Sequence, residues 1–474
     1  MNAPVSSSAR SPDGSSAGAS LRWSVWVLAS AGKLLEGMVV FLGGITLPLL
    51  ADQFQLGALQ QGCLSAASLI GILVGAIALG ALADRFGRRP LFIAAMGLLL
   101  LGLVVVLLSP TPLCLGGGLL LIGLALGADY PVAHLVIAEC VPVARRGRMV
   151  LAAFGFQALG ALLATALAAL LWPQGADPAS WRLLYLLPLP AVLLILLGRL
   201  LLPRHSPWLL GGAELQEARL ALRPPSAAAS PDWSLLLQPP LRRATALACL
   251  PWFLQDLSTY GVGLSLPLLL SSAGASSAPR SAALIDLMLV LGIAAAIALA
   301  DRWGRIPLQI TGFLGCAAGL LLAGFALGSL IPRLPLLAAG LALFQFMTNL
   351  GPNAQTYLLA GELFPTPLRG LGAGLAAAAG KAGAVTTALV FPLVLQRQGA
   401  GGLLSSLAFT SVLGAAVTWW FRQETRDRDL LAEPLPARWL QLRPEPLRHP
   451  PMDQLSLSPS PPPEGAAPSS AAPP

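Results

Sequence analysis

Charge is what this sequence has least of. Of its 474 residues only 11% are Asp, Glu, Lys or Arg, against roughly 25% in soluble domains. Hydrophobic residues make up 55%, and mean hydropathy is +0.74. That shortage excludes an ordinary water-soluble domain. Lysine is almost missing: Lys33 and Lys381 are the two in the chain. Cysteine is sparse, and Cys63, Cys114, Cys140, Cys249 and Cys316 stand singly in or beside apolar stretches. They have neither metal-ligand spacing nor the look of a disulfide framework, so they read as small buried hydrophobes. No Ser-His-Asp set, nucleotide loop or metal-ligand cluster is visible, which argues against an enzyme, a cofactor or a metal site. The net charge of +8 does not indicate nucleic acid, because the arginines gather in short loops rather than on one folded face. Residues 1–20 lack a basic segment followed by an apolar one, so no cleavable signal peptide is expected. The first apolar span then serves as the insertion signal.

What is present is long apolar runs. A helix needs about 20 apolar residues to cross a hydrocarbon core, and twelve stretches qualify. In the first half they are 22–50, 60–83, 91–109, 113–140, 149–172 and 182–203. In the second they are 243–271, 280–300, 306–330, 334–362, 371–395 and 401–421. The reading is therefore an all-α polytopic membrane protein with residues 22–203 and 243–421 as two six-helix bundles. Residues 1–21 are an expected disordered N-terminus, 204–242 a linker loop, and 422–474 a Pro-rich disordered tail. Arginine placement sets the orientation. The even-numbered loops and the tail hold Arg85, Arg88, Arg89, Arg145, Arg146, Arg148, Arg302, Arg305, Arg369 and Arg422, while each odd-numbered loop holds at most one. By the positive-inside rule both termini lie in the cytoplasm.

Two patterns recur in the halves. Leu82-Ala83-Asp84-Arg85-Phe86-Gly87-Arg88-Arg89-Pro90 returns as Leu299-Ala300-Asp301-Arg302-Trp303-Gly304-Arg305-Ile306-Pro307, 217 residues on. Glu139-x-x-Pro142-x-x-x-Arg146-Gly147 returns as Glu362-x-x-Pro365-x-x-x-Arg369-Gly370, 223 residues on. Parallel repeats of this kind fit a transporter whose solute sits between the halves. The first pattern resembles the signature loop between helices 2 and 3 of the major facilitator superfamily. The resemblance covers roughly residues 22–421. It implies gating roles for Asp84, Arg85, Gly87, Arg88, Asp301, Arg302 and Arg305; Glu139, Arg146, Glu362 and Arg369 read as gate or loop-pairing residues.

Ionisable residues at bilayer depth are functional candidates by default. Lys33 and Glu36 share a helix face, either as a self-neutralising pair or as part of a site. Asp129 lies near the middle of the fourth span, and His134 follows it. Trp252, Asp256 and Tyr260 recur every four residues in the seventh span, so one face presents an indole, a carboxyl and a phenol. In the tenth span Asn349 and Asn353 flank a Gly351-Pro352 break, which frees backbone groups where a helix lines a cavity. Gln157 and Lys381 complete the polar set, with Asp286 a further possibility near the outer face.

These segments are similar to the proton-coupled phosphate symporters of fungi and plants. Gly127-Ala128-Asp129-Tyr130-Pro131, the Trp252/Asp256/Tyr260 face, Gly351-Pro352-Asn353, Ala379-Gly380-Lys381 and Gln157 carry that resemblance. It implies that Tyr130, Gln157, Trp252, Asp256, Tyr260, Lys381 and an asparagine at 349 or 353 hold the anion. Asp129, Asp256 and Glu36 would couple protons. The first span, with Lys33 beside Glu36, and Ser206-Pro207-Trp208-Leu209-Leu210 resemble instead the sugar and metabolite symporters. The expected function is proton-coupled symport of phosphate or a similar small anion by a monomer in the plasma or inner membrane. The alternatives are a sugar or carboxylic-metabolite symporter and, further off, a non-transporting receptor.

Overall fold

A computed structural model of the chain describes residues 13–86, 88–140, 146–171, 180–202, 234–239, 241–274, 278–328, 333–365 and 368–426. Within them the chain is built of helices: α1 (Asp13–Phe54), α2 (Ala58–Phe86), α3 (Arg88–Leu108), α4 (Pro112–Cys140), α5 (Arg146–Leu171) and α6 (Trp181–Leu201). Then come α7 (Arg242–Ser272), α8 (Ala278–Trp303), α9 (Arg305–Gly328) and α10 (Leu334–Glu362). The last helical stretch, Arg369–Phe421, divides at Gly399 into α11 (369–398) and α12 (400–421). Gly399 has φ 69° and ψ 175°, a conformation that is essentially glycine's alone. Eleven stretches of the described residues are long and apolar enough to cross a membrane. The twelfth helix is α7, 31 residues long, whose middle carries the polar face read from the sequence.

Two boundaries differ from the sequence reading. α1 begins at Asp13, because a Ser/Ala/Gly stretch without proline can continue a helix beyond the apolar run. Residues 422–426, expected to belong to the tail, are held against α9 and α10 as described below. The rest of the tail and most of the linker lie outside the described residues.

The distribution of polarity is that of a chain dissolved in hydrocarbon. Leu108, Leu113, Leu201, Phe325 and Trp420 are exposed, while Lys33, Glu36, Asp129, Arg199, Asp256, Asp286 and Lys381 are buried. The protein is an integral membrane protein. With lipid as apolar as leucine, helices associate by close packing and polar contacts. α2 and α4 show this plainly. Gly71 and Gly75 interleave with Gly123 and Gly127, and a Cβ on any of the four would strike a backbone carbonyl of the other helix. One apolar core gathers mainly α1–α6, and a second gathers α7–α10 with α12. α2 packs against α11, and α5 against α8. These two seams join the halves around a central cavity.

α10 breaks where the Gly-Pro pair predicted it. Leu334–Leu350 and Pro352–Glu362 are separate helical segments joined at Gly351. A side chain there is excluded because Gly351 lies against the backbone of Gly312 on α9.

Candidate functional site

α1 meets α5 closely because Gly37 and Gly160 let backbone touch backbone: a Cβ at either would land on a carbonyl, of Gln157 or Leu34. That approach assembles the first polar cluster. Lys33 Nζ lies 2.7 Å from Glu36 Oε2, and Gln157 Nε2 donates to Glu36 Oε1 at 3.1 Å. The Lys33 ammonium also stands 3.4 Å from the centroid of the Tyr130 ring, a cation–π contact that holds its charge over the phenol face. Of the two readings of Lys33 and Glu36, the pair forms, and it does so beside the cavity.

α7 and α11 repeat the arrangement. Gly383 packs on the Phe253 carbonyl and Gly380 on the Trp252 indole, bringing Lys381 to Asp256 although 125 residues separate them. Lys381 Nζ donates to Asp256 Oδ2 at 2.9 Å and to the Tyr260 hydroxyl at 2.7 Å. Each half thus sets one carboxylate of its first helix, Glu36 or Asp256, against a donor on its fifth, Gln157 or Lys381. Within this small volume are two ammonium groups and two carboxylates, all buried.

Amides from α7 and α10 close another wall. Gln255 Nε2 donates to Thr259 Oγ1 at 2.8 Å and to Asn353 Oδ1 at 3.3 Å. Asn353 Nδ2 donates to Asn349 Oδ1 at 2.6 Å, and Asn349 Nδ2 to the Leu289 carbonyl at 3.0 Å. The cavity itself is lined by Phe41, Tyr130, Phe154, Gln157, Trp252, Thr259, Tyr260, Asn349, Asn353 and Lys381, among others. Beside it, aromatic rings gather on Tyr357. Phe154 stacks on it with centroids 4.4 Å apart, and Tyr130 and Trp252 meet it edge-on at 5.5 and 6.5 Å. Such a site offers donors, ring faces and paired charges.

The profile of the "Sugar (and other) transporter" family matches residues 25–433. The chain belongs to that family. The transporter is 27% identical over 425 residues to the inner membrane metabolite transport protein YgcS of Escherichia coli, covering 85% of this chain and 92% of that one. It is 24% identical to the probable inorganic phosphate transporter 1-6 of Arabidopsis thaliana, covering 86% and 89%. Its fold matches the proton:xylose symporter XylE of E. coli with TM-score 0.72 at 20% identity, over 87% of this chain and 98% of that one. It is a secondary transporter of the major facilitator superfamily.

In this transporter the expected anion ligands Tyr130, Gln157, Trp252, Tyr260, Asn349, Asn353 and Lys381 all line the cavity, and Asp256 is bonded to one of them. Asp129 stands apart. One residue before Tyr130, it points about 100° away around the helix, and both its oxygens are bonded by Arg199 of α6. Arg199 is fully buried. It donates further to the carbonyls of Phe92 at 2.7 Å and Leu28 at 3.3 Å, and its guanidinium lies 3.4 Å from the Phe92 ring centroid.

Of the gating set, the structure brings together Asp301, Arg305 and Glu362. Arg305 Nε and Nη2 donate to the two Glu362 oxygens at 3.1 and 3.0 Å, and Nη1 lies 3.4 Å from Asp301 Oδ1. Arg302 is exposed, and its carbonyl accepts from Arg426 at 2.7 Å. Gly87 lies outside the described residues, as do the side chains of Asp84, Arg85, Arg88, Glu139, Arg146 and Arg369.

Sequence reasoning missed five participants. Arg148 of α5 reaches Asp301 of α8 at 2.7 Å and links the halves. Glu424 accepts from the backbone N–H groups of Arg305 and Ile306 at 3.0 Å each, capping α9 from beyond α12. Thr425 donates to Glu362. Arg199 was detectable, since an arginine inside Leu-Leu-Gly-Arg-Leu-Leu breaks an apolar run; Tyr357 carries no charge and gave no such signal.

Proposed function

We propose that the transporter is a proton-driven symporter of inorganic phosphate or a similar small anion. The observation that carries this reading is Lys381 at the cavity wall, held by Asp256 and Tyr260. As an ion pair the two groups present little net charge to an anion. A proton on Asp256 neutralises the carboxylate, uncovers the ammonium and turns the carboxyl into a donor. Proton binding and anion binding then favour one another, which is the reciprocal coupling a symporter needs. Glu36 with Lys33 and Gln157 supplies a second such unit from the other half, and Tyr130, Trp252, Asn349 and Asn353 add donors. Asp129 has a related part: protonation would release Arg199 and with it the contact between α4 and α6. The phosphate transporter relative supports the same choice.

A second reading, a sugar symporter, draws on the rings of Tyr130, Trp252 and Phe154 beside amides, which suit a neutral polyol. In both readings residues 22–203 and 243–421 move as bundles about the cavity. The Arg148–Asp301 contact holds shut the end that faces the cytoplasm together with both termini, with the Arg305–Glu362 pair of the second bundle beside it. The protein works as a monomer in the plasma or inner membrane.

Uptake of labelled phosphate into proteoliposomes under an imposed pH gradient tests the proposal, with xylose, glucose and carboxylates as competitors. Accumulation that collapses with a protonophore is expected. Xylose accumulation without phosphate uptake in the same preparation would hand the site to the second reading.

A further inference from the structure

Asp286 belongs to none of the groups above. It lies on α8 with no exposed surface, at the α5–α8 seam. Gln345 Nε2 of α10 donates to its Oδ1 at 2.7 Å. The Thr165 hydroxyl of α5 lies against the carboxyl, but it donates to its own helix, to the carbonyls of Leu162 and Ala161 at 3.0 and 3.3 Å. Oδ2 is therefore buried without a donor.

No cation among the described residues compensates this group. On α5, Arg148 is taken by Asp301, and on α9 Arg305 is taken by Glu362. Both lie near Asp301, fifteen residues away and so ~22 Å along α8. On α7 Asp256 is held by Lys381, and the residue that α10 turns to Asp286 is the neutral Gln345. An ionised carboxylate sealed here with one amide bond is strongly disfavoured. The protonated form can use both neighbours: Gln345 donates to Oδ1, and an Oδ2–H can donate to the Thr165 hydroxyl oxygen, which has lone pairs to accept it.

The repeat shows that the scaffold does not require this arrangement. At the offsets of 217 and 223 residues, Asp286 and Gln345 correspond to Leu69 and Ile122, both buried and apolar. Where one half packs hydrocarbon, the other places a carboxyl and its donor against a hydroxyl from across the seam.

We propose that Asp286 is a proton-binding site separate from the carboxylates of the cavity, protonated while the α5–α8 seam is closed and losing its proton to water when the seam opens. The Oδ2–H to Thr165 bond forms in the closed state and breaks on opening; the proton passes to solvent, and the charged carboxylate is then hydrated. The seam is thereby tied to pH even with no solute bound, whichever solute the cavity takes.

Spin labels at Leu170 on α5 and Leu284 on α8, 76% and 71% exposed, would report the seam distance. They would be placed in full-length protein with the native cysteines replaced. In the absence of solute, the wild-type background should show a longer distance population growing as pH rises. Asp286→Asn, a permanent analogue of the protonated group, should hold the short distance at every pH, and so should Asp286→Leu, which copies the first half. Thr165→Val should raise the open population at acid pH while keeping the pH response. A wild-type distance indifferent to pH, or an Asp286→Asn protein that responds as wild type does, overturns the proposal. Failure of phosphate uptake leaves this result untouched, since no solute takes part.

Discussion

Replacing Lys381 by Met strips the cation from Asp256 and Tyr260 but leaves the carboxylate where it is, 1% exposed. Breaking a buried pair from one side costs about 3–5 kcal/mol. The purified protein should accordingly unfold at lower temperature in detergent, and Lys381→Met with Asp256→Asn should recover most of the loss while transport stays abolished. Recovery of transport in the double variant would remove the pair from the solute site. Arg199 and Asp129 form a second pair of the same kind, so Arg199→Met should destabilise more than Asp129→Asn, which keeps an acceptor for the guanidinium. A matching pair of melting curves in which Asp129→Asn is the worse would contradict that order. At this scale the sequence was partly legible. Trp252, Asp256 and Tyr260 share a face by their spacing alone. The partnership of Asp256 with Lys381 was not readable, because it is made by two helices meeting through Gly380 and Gly383. Arg199 passed unremarked for a simpler reason: it stands near Arg204 at the end of its apolar run, where arginines are expected to reach the membrane surface.

Helices that cannot use the hydrophobic effect against lipid depend on backbone approach, and α2 with α4 depends on four glycines. Gly123→Ala should cost ~1–3 kcal/mol, the range for overfilling a packed contact, because its Cβ meets the Ser68 carbonyl. Gly117→Ala, on the same helix with open space around it, should be neutral or slightly stabilising, since alanine is the better helix former. Thermal unfolding of the two variants side by side decides it; equal losses would mean that the glycines act through helix propensity and not through contact. The spans were legible because hydropathy and length define them, and the break in α10 because proline cannot continue the preceding hydrogen-bond ladder. Which helices adjoin was not legible, since glycines at four-residue spacing occur on several faces and only packing selects among them.

At the scale of the whole molecule, the Arg148–Asp301 pair is the ion pair among the described residues that crosses between the halves. Both side chains are partly open to solvent, 56% and 36% exposed, so its strength is modest and its sign matters more. Arg148→Glu would set two carboxylates face to face and favour states in which that end is parted. A cysteine at Phe154, in a background without the native cysteines, should then react faster with a water-soluble maleimide added from that side. An unchanged rate would mean that the Arg148–Asp301 pair does not hold that end shut. The repeat singled out Asp301 and Arg305, which the structure finds paired. It could not foretell Arg148, which pairs one half with the other and has no place in a pattern read within each.

Glu424 and Thr425 bear on how the protein is handled. A chain ended at Phe421, or a reporter fused there, would take away the acceptor for the first two N–H groups of α9 and a donor to Glu362. A chain ended after Arg426 keeps them all. The usable end of the protein is thus set by a clasp three and four residues past the last membrane helix, and a tag placed without regard to it would disturb the start of α9.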